Sequence, residues 1–217
     1  MKYFFPALFI LSGGVHLYAC RRNDSRLRAR TKWILLPALL GWYCASASPV
    51  RWIVVAALLM SWLGDVFLIG KGVKWFTAGG IAFVLSHLCF VLAYSARVDF
   101  ARVGVVPTVL AALFYAAVSV LLFRALKPHL PRALSYPMFF YLLVNGCMNC
   151  FALFQLISFP CAAAAVIFVG ATQFYLSDVL LFFVRFNRNS RQKNHFFVML
   201  TYLIAELLIV CGLLLLG

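Results

Sequence analysis

The chain has 217 residues, of which 65% are hydrophobic and only 11% charged, with a mean hydropathy of +1.00. A soluble domain carries about 25% charged residues, so water is excluded as the solvent for most of this chain, and its backbone polar groups have to be satisfied internally. A net charge of +14 would suit nucleic acid, but the charges sit on short loops between apolar runs, and no nucleic-acid partner is expected.

Crossing a hydrocarbon core of ~30 Å takes roughly 20 apolar residues per helix. Eight stretches between the charged clusters qualify: 3–20, 33–48, 52–70, 76–95, 103–123, 136–157, 161–183 and 196–216. Their apolar character is continuous rather than alternating, which argues for helices and against barrel strands. The first stretch has the look of a cleaved signal ending at Cys20. Export would then drag Arg21, Arg22, Arg26, Arg28, Arg30 and Lys32 across the membrane, so a retained first helix is expected. Loops after the first, third, fifth and seventh stretches hold six, two, three and four Lys or Arg residues, and the other side holds Lys2, Arg51, Arg97 and Arg102. The positive-inside rule puts the basic loops in the cytoplasm and both termini outside it, with a bacterial inner membrane the expected setting. Trp33, Trp52, Trp75 and Tyr94 are expected as interfacial anchors. The seven cysteines fall within or at the edges of these stretches, and their odd number argues against a disulfide framework. Cys147 and Cys150, in "CMNC", are read as packing residues.

Two acidic residues break the apolar pattern. "SWLGDVFLI" (Ser61–Ile69) carries Asp65, and "FYLSDVLLF" (Phe174–Phe182) carries Asp178; the two share Leu, Asp, Val and Leu at equivalent places. They stand four stretches apart, so their helices run in the same direction, and a basic loop follows each. The fold class expected is an all-α membrane protein. Its eight transmembrane helices form a four-plus-four parallel repeat around a cytoplasm-facing cavity, all within one polytopic domain, 1–217 (repeat one about 3–95, repeat two about 103–216). At ~1.5 Å per residue, Asp65 and Asp178 lie about 9–10 Å in from the basic end, at one level.

An ionised Asp in the middle of a bilayer costs ~2.5–3.5 kcal/mol on insertion scales, so an intramembrane carboxyl invites a functional reading. Two that approach closely cannot both ionise comfortably and share a proton, which supplies an acid and a base together. Other polar residues fall at similar or greater depth: Ser61, His87, Tyr141, Asn145, Asn149, Ser177, Thr201, Tyr202 and Glu206. His16 is expected to bond a backbone carbonyl, and Glu206 to face the cavity. Lys32, Lys71, Lys74, Arg185 and Arg188 form a basic collar, with Lys32 placed to catch a phosphate head group.

At these residues the chain resembles the YhhN family of membrane proteins, the lysoplasmalogenases. The G-D block is seen in "LGDVFLI", the a-F-x-x-x-H span in "IAFVLSHLCFVLAY", the S-D block in "YLSDVLLFFVRF" and the T-Y-x-x-A block in "LTYLIAELLIVCG". The resemblance implies a metal-free, cofactor-free hydrolase acting on the vinyl-ether bond of a lysoplasmalogen, a lysophospholipid drawn from the membrane. Asp65 and Asp178 would be its catalytic pair. Lys32, Ser61, His87, Tyr141, Asn145, Ser177, Tyr202 and Glu206 complete the expected substrate-binding set. The chain departs from the family where "KW" (Lys32, Trp33) stands for K-P and Glu206 for the usual Gln. Two other readings fit paired intramembrane acids: a proton-coupled transporter of a small amphiphile, and a non-catalytic lipid-binding protein with the aspartates as interhelical glue.

Overall fold

The computed structural model describes residues 3–186 and 195–217. In chain order the helices are α1 (Phe4–Arg21), α2 (Ser25–Ser46), α3 (Trp52–Phe67), α4 (Val73–Ser95), the single turn α5 (Phe100–Val103), α6 (Val105–Leu126), α7 (Arg132–Ser158), α8 (Ala162–Phe186) and α9 (Phe196–Leu216). Among the described residues, α1, α4, α6, α7, α8 and α9 are long and apolar enough to cross a membrane. The chain is therefore a multi-pass integral membrane protein. Of the other two long helices, α3 is apolar but has 16 residues, and α2 has 22 but opens on a run of cations.

That run explains where α2 begins. The apolar stretch predicts a start at 33, yet the helix starts at Ser25. Asp24 caps it, its carboxylate accepting from the backbone N–H groups of Arg26 and Leu27 at 3.0 Å each. The cap satisfies orphan donors and sets a negative charge at the helix N-terminus, where Arg26 and Arg28 alone would oppose the dipole. Lys32 consequently stands two turns inside a helix rather than at its start.

The helices pack in chain order within two groups: α1 on α2, α2 on α3 and α3 on α4, then α6 on α7, α7 on α8 and α8 on α9. The groups meet where α4 packs on α7, and where α1 and α2 touch α9. Lipid tails are as apolar as leucine, so intramembrane helices associate through close packing, which small residues permit. A Cβ at Gly212 would lie 2.5 Å from Ile167 Cγ1 and 2.8 Å from the Ala163 carbonyl oxygen, and one at Gly170 would lie 3.0 Å from the Ala205 carbonyl oxygen. These two glycines set the spacing of α8 and α9. Gly64 does the same between α3 and α4, where a Cβ would lie 2.6 Å from the Phe83 ring.

Three cations on the sparsely charged side have local partners. Arg51 donates to the Ala93 carbonyl at 2.6 Å, Arg102 to that of Ser158 at 3.3 Å, and Arg97 to that of Gly217. Each guanidinium thus caps the C-terminal end of a helix, where unpaired carbonyls and the dipole favour a positive charge. Trp33, Trp52 and Trp75 are exposed, as expected of anchors, but Tyr94 is fully buried and stacked on Phe90. Phe83, His87, Phe90 and Tyr94 form the inward stripe of α4 at helical spacing, so helical phase overrides the nearness of Tyr94 to the helix end. The seven cysteines are free; on α7, Cys147 faces outward and Cys150 inward. Lys2, Arg188, Arg191 and Lys193 lie outside the described residues.

Gly212→Val should force α8 from α9 and cost about 1–3 kcal/mol, the usual penalty of overpacking. Gly14→Ala, at a position with open space around it, should stay within about 0.5 kcal/mol of the parent. Unfolding in detergent checks both.

Candidate functional site

Asp65 sits in the last turn of α3 and Asp178 two turns before the end of α8, and both line one pocket of about 220 Å³. Sequence reasoning predicts a direct hydrogen bond between them. Each carboxyl is held by partners on the long helix that precedes its own. Asp65 Oδ1 accepts from Lys32 Nζ on α2 at 2.7 Å. Asp178 Oδ2 accepts from Tyr141 Oη and Asn145 Nδ2, both on α7 and both at 2.7 Å. The aspartates are 2% and 5% exposed, burial at which a carboxyl without donors would be strongly destabilising.

His87 joins the second carboxyl from α4, its Nε2 lying 3.5 Å from Asp178 Oδ2. On its far side the ring donates from Nδ1 to the Phe83 carbonyl, which fixes the tautomer and turns Nε2 toward the aspartate. Edge contacts with Tyr141 and Phe174, at centroid distances of 5.4 and 4.8 Å, hold the ring in place. Asn145 is braced by Asn149, whose amide donates to its carbonyl at 3.0 Å. Ser177 also lines the pocket, with its hydroxyl donating to the Val198 carbonyl at 2.9 Å.

Of the expected substrate-binding residues, Lys32, Ser177 and Tyr202 line the pocket with the aspartates, whereas Ser61, His87, Tyr141, Asn145 and Glu206 do not. Ser61 is fully buried and paired with Ser86 at 2.8 Å. Glu206 is fully buried one turn beyond the pocket-lining Tyr202, a correction to its expected place in the cavity wall: the phase of α9 turns it into the α3–α4 seam. Glu206 stands beside Ser61 and Tyr202, and Tyr202 beside Asp65, yet by strict hydrogen-bond geometry both Glu206 carboxyl oxygens, Tyr202 Oη, Asp65 Oδ2 and His87 Nε2 are buried and unpaired. Such atoms are exceptional in a folded protein, and here they gather around the two aspartates.

The collar is only partly assembled at the pocket. Lys32, Lys71 and Arg185 line it, whereas the exposed Lys74 does not, and Arg188 lies outside the described residues. Arg185 stands over the Phe76 ring at 5.8 Å. Three further titratable residues line the pocket: Arg28, His16 and His195. Arg28 is four positions before Lys32 and shares its helix face, a spacing visible in the sequence. His16 takes Thr31 Oγ1 as its partner at 2.6 Å, in place of the expected carbonyl. No sequence signal marks His195; it is brought in by the docking of α9. Burial, reinforced by Arg28, Lys32 and Arg185, lowers the His195 imidazole from 6.5 to about 4, so it is neutral at pH 7.

Fold and site together define an all-helical, multi-pass membrane protein with a polar pocket ringed by cations and holding two buried carboxyls. The chain belongs to the YhhN family, whose model matches residues 27–213, from the first turn of α2 into the last turn of α9. No protein of curated function and no solved structure matches it.

Lys32→Met should destabilise the protein by about 3–5 kcal/mol, because it leaves Asp65 buried without its counter-charge. Adding Asp65→Asn should restore much of that loss, giving a coupling above about 1 kcal/mol in a double-mutant cycle. An alkyl phosphate entering the pocket should raise the His195 pKa from about 4, since an anion offsets the cations that depress it; imidazole NMR titration reads the shift.

Proposed function

We propose that the protein is a lysoplasmalogenase: it hydrolyses the vinyl-ether bond of a lysoplasmalogen to a fatty aldehyde and a glycerophosphoethanolamine or glycerophosphocholine. The observation that carries this reading is the convergence of Asp65 and Asp178 on one pocket in a YhhN-family chain, a family that includes lysoplasmalogenases. A vinyl ether breaks when an acid adds a proton to its β-carbon, leaving an oxocarbenium ion that water captures at the α-carbon. The resulting hemiacetal loses the glycerol oxygen as an alcohol and becomes the aldehyde.

The two aspartate environments divide this work. Asp178 and His87 lie 3.5 Å apart, and the Nδ1–H bond to the Phe83 carbonyl leaves Nε2 free to hold a proton against the carboxyl. Asp178 delivers that proton to the β-carbon, with His87 as its reservoir, while Tyr141 and Asn145 hold the carboxyl in place. Asp65, anchored by Lys32, faces the oxocarbenium ion, stabilises its charge and accepts a proton from the attacking water. Arg28, Lys71 and Arg185 receive the phosphate. No gradient is needed, which separates this reaction from proton-coupled transport.

We further read all eight long helices as spans, in two four-helix halves related by a pseudo-dyad, with the pocket open to the cytoplasm and both termini on the other side. Lys32 and Asn145 are separated by the same 113 positions as Asp65 and Asp178, so the two contacts of 2.7 Å are equivalent under the repeat. The packing order of α1–α4 matches that of α6–α9.

Purified protein in detergent should release aldehyde from a lysoplasmalogen. Asp178→Asn and Asp65→Asn should each reduce kcat by about a hundred- to ten-thousand-fold while leaving the protein folded. Full activity in Asp178→Asn would end the mechanism. Failure of the parent to release aldehyde, alongside proton-driven uptake in vesicles, would favour a carrier.

A further inference from the structure

A second depression, apolar and about 270 Å³ in volume, lies beside the polar pocket. It runs between α4 and α7 over a floor from α8, and Gly80, Ile81, Val84, Met138 and Phe140 are among its lining residues. Ile81 and Phe140 on its lip are 58% and 57% exposed, so in a bilayer the groove opens sideways to the acyl chains. Its inner end is shared: Leu68, Phe76, Phe83 and Leu181 line both this groove and the polar pocket. Tyr141 lines the groove with its ring and donates its hydroxyl to Asp178.

We propose that this groove is the binding site for the hydrocarbon chain of a single-chain phospholipid, entered laterally between α4 and α7, and that it sets chain-length preference. The inference rests on the reading of the polar pocket as a head-group site. The occupant follows from continuity and charge. An apolar groove that joins a pocket bearing Arg28, Lys32, Lys71 and Arg185 matches a molecule with an anionic head and one long tail. The join also fits the chemistry: in a vinyl-ether lipid the bond to be cleaved is where head meets tail, and Tyr141 and Asp178 stand where groove meets pocket.

Gly80 makes the test clean, because a Cβ there meets nothing within 4 Å. Gly80→Trp projects an indole from this open position in the groove lining, and Gly14→Trp, equally open at its Cβ on α1, is the control. The probes are saturated 1-O-alkyl glycerophosphoethanolamines with ten- and eighteen-carbon chains, which lack the vinyl ether and stay intact, and binding is read by native mass spectrometry. Each buried methylene strengthens binding by about fourfold, so the parent should prefer the longer chain. Gly80→Trp should bind the longer chain at least about tenfold more weakly, with the shorter one little changed and the control like the parent. Should the Trp variant fail to fold, Gly80→Leu should give the same pattern at smaller amplitude. Parent-like binding by the Gly80 variants overturns the proposal, and so does equal weakening at both lengths, which marks a head-group effect. A parent that binds the probes with this selectivity yet releases no aldehyde from a lysoplasmalogen would leave the groove in place and remove the proposed reaction.

Discussion

Asp65 and Asp178 are buried among apolar helices and each is met by donors, and these pairings organise the interior of this protein. Lys32 meets Asp65, and Tyr141 with Asn145 meets Asp178, all at 2.7 Å. Each pairing ties an aspartate-bearing helix to the long helix before it and fixes the rotation of both about their axes. Removing one member of a buried charge pair costs more than the pair contributes, so these contacts specify the arrangement more than they strengthen it.

Around that constraint the packing is unequal. α8 and α9 approach through Gly170 and Gly212, and α3 and α4 through Gly64, whereas α6 buries little more than Ala111, Ser119 and Leu126. The tight pairs carry the polar site, and the seam between α4 and α7 is wide enough to hold the apolar groove. His87 links these regions, packed against Tyr141 of α7 and Phe174 of α8 while its Nε2 faces Asp178.

Legibility in the sequence differed by kind of feature. Helices could be placed because apolar length is a local property: eight long helices occupy the eight stretches, and six of them are long and apolar enough to cross a membrane. Apolar length places the start of α2 at 33 because it does not register Asp24, the cap that starts the helix at Ser25. Depth along the helix makes Tyr94 an anchor, whereas the stripe it forms with Phe83, His87 and Phe90 gives its phase and its burial. Lys32 was assigned to a ligand because its partner is 33 positions away, on another helix. Both aspartates stood out because an acid in an apolar run is costly; what each one faces depends on helix rotation, which the costliness does not reveal.

By itself the sequence determined the solvent, the long helices, and the two acids at a common distance from a basic end. These follow from hydropathy and spacing along one chain. It took the packed helices to show that the acids share a pocket, that Glu206 is fully buried outside its wall, and that Arg28, His16 and His195 line it. Their packing alone opened a groove between α4 and α7. Those outcomes depend on how one helix turns and how closely it approaches the next, quantities fixed by side-chain fit between segments far apart in the chain.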